Sequence, residues 1–231
     1  MHDAIPAVFS RIQPVARDTV LYTLDLAAPL PFTAGQFVNL AVPDAEPRGE
    51  RSYSVYSDPL DERRIELCVK LLAGGAASTW LSARRAGDEA TVRGPFGAFT
   101  LDPGDDAVFM VATATGLAPF RAMLAQAARE RSQRPFRLYF GVREEADLFA
   151  IEDLQRWKGE MRSFDYELCL SRAPADWHGW RGRVTGAVAR DHVPGTGRWY
   201  LCGNTQMVED VRALLRERGQ ERKAIRVEKY Y

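Results

Sequence analysis

Pro103-Gly104-Asp105-Asp106 divides this 231-residue sequence into two rhythms. Proline presets a turn, glycine supplies a positive φ, and the two aspartates keep the segment at the surface. On its N-terminal side, β-rich runs separated by Pro and Gly predict strands over 8–15, 19–26, 36–42, 51–56, 65–72 and 89–93. Val20, Tyr22, Leu24 and Leu26 alternate with polar or small residues, as do Ile65, Leu67 and Val69. That is the period-two signature of half-buried strands, and such a series suggests a closed antiparallel barrel. One helix interrupts it after Gly74-Gly75-Ala76-Ala77, where Ser78 is the expected cap of a turn carrying Trp80 and Leu81.

On the C-terminal side strand alternates with helix. Strands are predicted over 107–113, 136–142, 166–171, 199–202 and 225–229, and helices over 117–127, 148–158, 184–192 and 205–218. Asn204 or Thr205 is available as cap of the last helix and Gly219 as its stop. This order implies a five-stranded parallel sheet with helices on both faces, whose ligands lie at the carboxyl ends of the strands. The expected architecture is an antiparallel β-barrel over residues 1–104 and an α/β domain over 105–231.

Lys plus Arg equals Asp plus Glu, at 31 each, so no global field draws the chain onto nucleic acid or an anionic membrane. The first residues lack a basic segment followed by an apolar one, and no apolar run reaches the ~20 residues of a membrane span. The expectation is a cytoplasmic monomer. Cys68, Cys169 and Cys202 are odd in number and far apart, which predicts free thiols and no metal.

Several clusters carry possible chemistry. Arg51-Ser52-Tyr53-Ser54 gathers a cation, a ring and two hydroxyls, which suits a planar ligand with a diphosphate tail. By itself it reads rather as a strand with Tyr53 and Tyr56 in a core and Arg51 in water. The Gly74-Gly75 turn lets a ligand approach main-chain N–H groups. Thr113-Ala114-Thr115-Gly116-Leu117-Ala118-Pro119 is a tight strand-to-helix turn, though not a G-x-G-x-x-G fingerprint. The next strands end in Gly141-Val142-Arg143, Ser171-Arg172 and Cys202-Gly203-Asn204, and Gly182-Arg183 opens a helix. Arginines converging on one sheet edge are better explained by a phosphate, the extra one of NADP, than by chance. Arg63-Arg64 and Arg84-Arg85 read as solvated faces or as a dock for an acidic redox protein. His178 and His192 read as surface residues.

Taken together with Gly94-Pro95-Phe96-Gly97 and Met207, these motifs make the chain resemble the ferredoxin–NADP reductase superfamily over nearly its whole length. The resemblance implies an FAD-binding barrel and a nicotinamide-dinucleotide domain. It assigns Arg51 to the FAD diphosphate, Tyr53 to the flavin ring and Ser54 to the neighbourhood of flavin N5. Ser52, Val69, Lys70 and the Gly75-Ala76-Ala77-Ser78 turn join that cofactor set. Thr115 and Gly116 correspond to the dinucleotide turn, and Cys202-Gly203 to the loop beside the nicotinamide. Arg172 and Arg183 match the 2′-phosphate positions of bacterial NADP-using members, with Arg143 and Ser171 at the same edge. Tyr230 and Tyr231 look like the terminal aromatics that stack on FAD in such proteins. The expected catalytic residues are Ser54, Cys202 and Tyr231.

Two departures from the family stand out. Ala114 occupies a position where these proteins usually have glycine, and no iron–sulfur ligand spacing accompanies the two domains. The implied activity is that of a ferredoxin or flavodoxin–NAD(P)+ reductase, moving hydride between NADPH and FAD and single electrons to or from ferredoxin or flavodoxin. The rivals are an NADH-dependent reductase serving an oxygenase and a non-catalytic flavin-binding subunit of a larger complex.

Overall fold

The computed structural model describes residues 3–43, 49–191 and 197–230. The chain divides into two compact units, Met1–Leu101 with Ala118–Gln126, and Asp102–Leu117 with Ala127–Tyr231.

The first unit holds β1 (Ile5–Ala16), β2 (Thr19–Leu26), β3 (Phe37–Ala41), β4 (Glu50–Ser54), β5 (Arg64–Lys70), α1 (Ala76–Ser82) and β6 (Glu89–Phe96). All strand pairs are antiparallel, in the order β4-β3-β6-β1-β2-β5. The Val55–Leu67 bridge, with the Tyr56 N–H donating to the Glu66 carbonyl at 2.8 Å, joins the two ends of the sheet. Closure of this kind removes the exposed edges that an open sheet must otherwise protect. Phe9, Tyr22, Leu24, Val38, Leu40, Ile65, Leu67 and Val92 fill the interior. These are the period-two residues of their strands, so the alternation in the sequence translates directly into an inside and an outside.

The helix after the Gly74-Gly75 turn differs from expectation in how it starts. Gly75 is the capping residue and Ser78 lies inside the first turn. The Ser78 hydroxyl instead accepts the Leu72 N–H at 2.8 Å, closing the loop that leads into α1. The predicted strand 65–72 ends at Lys70 because the chain turns there.

The second unit contains β7 (Val108–Thr113), β8 (Phe136–Val142), α3 (Ile151–Glu160), β9 (Phe164–Leu170), β10 (Trp180–Arg181), α4 (Val184–Arg190), β11 (Arg198–Asn204), α5 (Thr205–Glu217) and β12 (Ile225–Tyr230). Helix α2 (Ala118–Arg129) follows β7 after a 3-10 turn at Ala114–Leu117. The sheet is parallel throughout, in the order β10-β9-β8-β7-β11-β12. Its sixth strand, β10, is absent from the sequence reading, because two residues are too short to carry a periodic signal. Phe109, Val111, Tyr139, Trp199 and Leu201 pack with Val184, Val188, Val208 and Val211 of α4 and α5. Met110, Leu138 and Phe140, one residue out of phase, point to the opposite face and are fully buried. There Phe140 meets Phe149 edge-on at 5.4 Å, next to α3. Burial on both faces explains why these strands read as continuous apolar runs.

Helix α5 begins as the sequence suggests, with the Asn204 side chain accepting the Gln206 and Met207 N–H groups. Helix α4 was expected to reach residue 192; it ends at Arg190, and His192 lies outside the described residues. No helix is long and apolar enough to cross a membrane among the described residues.

Candidate functional site

In the barrel unit the Arg-x-Tyr-Ser segment is β4, paired residue for residue with β3. Arg51 lies opposite Leu40 and Tyr53 opposite Val38, so the two share one face of β4. Tyr53 packs against the core, and burial pushes its hydroxyl up to about 12, the nearby Arg51 cation opposing the rise. Arg51 Nη1 donates to the Glu50 carbonyl at 2.8 Å. Ser52 and Ser54 point the other way. The exposed Ser52 donates to Asn39 Oδ1 at 2.7 Å, whereas Ser54 is only 5% exposed.

Val69 and Lys70 end β5, beside the same interior cluster, and Lys70 Nζ donates to the Arg17 carbonyl at 2.8 Å. The Leu71, Ala77 and Trp80 side chains that follow pack on that cluster with Tyr53. The glycine turn, α1 and β4 are therefore built on one core. Gly74, at φ +76°, has no atom within 4 Å of where a Cβ would stand. Its main chain is open to a ligand.

Three arginines of the basic pairs have partners within the barrel unit. Arg63 donates to the Ala27 carbonyl, Arg64 pairs with Asp25 at 2.7 Å, and Arg84 stacks over Trp80 at 4.6 Å.

In the second unit the predicted residues gather at the carboxyl edge of the sheet. The 3-10 turn carrying Thr115 and Gly116 lies against the end of β11: a Cβ on Gly116 would come within 2.3 Å of the Cys202 carbonyl oxygen. Thr113 Oγ1 accepts the Asn204 N–H at 3.0 Å, tying the ends of β7 and β11 together. Ala114 has φ +48°, a left-handed conformation that glycine adopts without strain.

Further along the edge, the Ser171 N–H donates to the Val142 carbonyl at 3.1 Å and the Arg172 N–H to the Arg143 carbonyl at 2.8 Å. These bonds set Arg143, Ser171 and Arg172 side by side. Arg183 caps α4, and the Gly182 N–H donates to the Leu170 carbonyl at 2.9 Å, holding that cap to the same edge. The edge thus gathers Arg143, Ser171, Arg172 and Arg183, residue types that suit a phosphate-bearing nucleotide.

Cys202 is fully buried. Burial raises its thiol well above the ordinary range, and Glu228 adds to the shift while Tyr230 opposes it. Glu228 pairs with Cys202 across β11 and β12, its Oε1 4.0 Å from Sγ. Sequence reasoning did not select Glu228, because the register of two parallel strands joined by a helix leaves no mark on local pattern. Tyr230 is half-buried at the end of β12, opposite Asn204. Tyr231 lies outside the described residues.

A family model described as an oxidoreductase FAD-binding domain matches residues 6–101, and one described as an oxidoreductase NAD-binding domain matches residues 110–213. Ferredoxin–NADP reductase B of Sorangium cellulosum is 36% identical over 208 residues, covering 86% of this chain and 85% of that protein. The chain belongs to the ferredoxin–NADP reductase superfamily.

Other superfamily relatives are oxygenase components. The toluate 1,2-dioxygenase electron transfer component of Pseudomonas putida is 31% identical over 217 residues, covering 92% of this chain and 63% of that one. The chain therefore spans less than two thirds of that relative's length. In structure it is similar to the Amycolatopsis cytochrome P450 reductase GcoB, with a TM-score of 0.90 and 31% identity over 99% of this chain and 71% of that one. The FAD/NAD-binding domain of a Vibrio cholerae nitric oxide dioxygenase shares the fold at a TM-score of 0.87 and 19% identity, with 99% of each chain covered.

As a superfamily member the chain is an oxidoreductase that uses FAD and a nicotinamide dinucleotide. Its residues fit both groups. The barrel supplies a cation, an aromatic ring, a sheltered hydroxyl and an open glycine main chain, and the parallel sheet supplies a cationic carboxyl edge.

Proposed function

We propose that this protein is an NADPH-linked ferredoxin or flavodoxin reductase, with FAD held by residues 1–104 and the dinucleotide by residues 105–231. The observation that carries the NADPH assignment is the backbone hydrogen bond from Arg172 to Arg143 at the carboxyl edge of the parallel sheet. With Arg183 anchored to the same edge, this arrangement supports recognition of a 2′-phosphate, helped by the Ser171 hydroxyl. A bare ribose hydroxyl would not need that many cations.

In this reading Arg51 neutralises the FAD diphosphate and Ser52 steadies β4 through Asn39. Tyr53 offers its ring to the flavin, and the Ser54 hydroxyl donates near flavin N5. The main chain at Val69, Lys70 and Gly75 through Ser78 receives the remaining polar atoms of the cofactor. Thr115, Gly116 and Gly203 shape the dinucleotide turn. Cys202, kept as a neutral thiol by burial, fills the space beside the nicotinamide without adding charge. When bound, FAD supplies the exchange between paired and single electrons, and the residues position the rings and exclude water.

The electron partner is a separate ferredoxin or flavodoxin, and the protein acts as a cytoplasmic monomer. An NADH-dependent oxygenase reductase is the second reading, favoured by the kinship with the toluate dioxygenase component. The two separate by anaerobic addition of NADPH, then of NADH, while the oxidised-flavin absorbance is followed. Faster bleaching by NADPH supports the first reading, and faster bleaching by NADH replaces it with the second.

A further inference from the structure

The arginine edge contains a carboxylate that the NADPH reading does not use. Glu144 follows Arg143 directly, and its Oε1 lies 3.7 Å from Arg172 Nη1. Its position is fixed by a local turn, in which the Glu144 N–H donates to Asp147 Oδ2 at 3.1 Å and the Asp147 N–H donates to the Glu144 carbonyl at 3.0 Å. The Arg172 side chain is 68% exposed and open to an arriving ligand, whereas Glu144 is 35% exposed and its carboxylate also accepts the Asp147 N–H, which holds it in place beside Arg172.

We infer that Glu144 is a specificity-determining residue that draws the dinucleotide preference toward NADH by competing with the 2′-phosphate for Arg172. The inference rests on the reading that Arg172 meets that phosphate. A phosphate at Arg172 must displace the Glu144 carboxylate or lie beside it, and either adds like-charge repulsion in a partly solvated site. A ribose 2′-hydroxyl has the opposite relation to the same group. It donates a hydrogen bond to a carboxylate, which is how an acidic residue selects NAD in doubly wound folds. One carboxylate thus penalises the phosphorylated ribose and rewards the plain one.

The test uses the full FAD-loaded chain and two half-ligands, adenosine 2′,5′-bisphosphate and 5′-AMP, with affinities measured by calorimetry. Glu144→Gln keeps the side-chain shape and removes the charge. It is expected to strengthen adenosine 2′,5′-bisphosphate binding roughly three- to tenfold and to weaken 5′-AMP about two- to threefold, since the neutral amide accepts the ribose hydroxyl less strongly than the carboxylate. The gain is expected to disappear in Glu144→Gln/Arg172→Ala. Glu144→Ala, which also breaks any side-chain support to the turn, should show the same direction. If Arg172→Ala weakens the bisphosphate but Glu144→Gln leaves it unchanged or weaker, the Glu144 inference is overturned and the phosphate reading stands. If Arg172→Ala binds the bisphosphate as tightly as the parent, the phosphate reading falls and the inference with it.

Discussion

A side-chain carbon on Gly203 would stand 2.3 Å from Thr113 Oγ1, the atom that accepts the Asn204 N–H. The ends of β7 and β11 are thus held together by a hydrogen bond whose geometry requires a bare main chain at its neighbour. Gly203 also has φ +133°, where an L side chain is strained. Gly203→Ala is therefore expected to destabilise the protein by about 2–4 kcal/mol, seen as a lower urea midpoint at unchanged slope. Gly116→Ala should fall in the same range, since its Cβ meets the Cys202 backbone oxygen at 2.3 Å. Gly159→Ala, in α3 with open space around it, is the contrast and should gain about 0.5–1 kcal/mol. Equal effects from all three would show that close approach is not what Gly203 and Gly116 provide.

Ala114 holds φ +48° in the turn after β7, a left-handed conformation for a residue that carries a methyl group. The left-handed conformation costs an L residue roughly 1–2 kcal/mol, partly offset by the greater unfolded-state freedom of glycine. Ala114→Gly should accordingly raise stability by about 0.5–1 kcal/mol, measured by thermal or urea unfolding. A loss of stability would mean that the methyl makes contacts worth more than the strain it causes.

How far these features were legible in the sequence follows from the range of the interactions behind them. The alternation Val20, Tyr22, Leu24, Leu26 and the apolar run into Thr113 are local, and they became β2 and β7. The Asn204 cap is also local and reads correctly. Ser78 misled because a serine three residues after a glycine pair resembles a cap, while its actual partner, the Leu72 N–H, lies on the other side of the turn. The facing of Cys202 and Glu228 and the pairing of Glu144 with Arg172 depend on strand register and loop path. A single sequence does not encode these as periodicity. The Arg51 to Ser54 segment stands out in the sequence by its chemistry, yet its two faces emerge only from the pairing with β3.

The three cysteines are free and buried. Burial pushes Cys68 and Cys169 up to about 12 and Cys202 well above its ordinary 9.0. A thiol-disulfide reagent at about pH 8 should therefore label none of them rapidly in the native protein and all three in denaturant. The sign of the linked stability follows. An acid whose folded pKa is raised contributes its full stability below the unfolded value and loses it as pH rises toward the folded one. Unfolding free energy should hold steady below about pH 9 and then decline, by up to about 1.4 kcal/mol per pH unit for each buried thiol. A stability that rises between about pH 9 and 10.5 would contradict this.

The Tyr139 hydroxyl donates to Asp191 Oδ2 at 2.7 Å, joining β8 to the end of α4. Burial works to raise the Asp191 carboxyl, but the bonds from Tyr139 and Arg190 and the charge of Arg137 outweigh it and hold it below its ordinary 3.8. A depressed carboxyl contributes stability above its unfolded value and loses it as pH falls through the folded one. Tyr139→Phe removes one of those bonds, leaves the ring in the core, and should cost about 1–2 kcal/mol at neutral pH. Because Asp191 would then titrate closer to its unfolded value, the variant should lose less on acidification than the parent. The gap between them is expected to narrow as pH falls below about 4, checked by urea unfolding at a series of acid pH values. A gap that widens there would mean that the hydroxyl does not act through Asp191, and that the cost of the substitution comes from elsewhere in the β8–α4 packing.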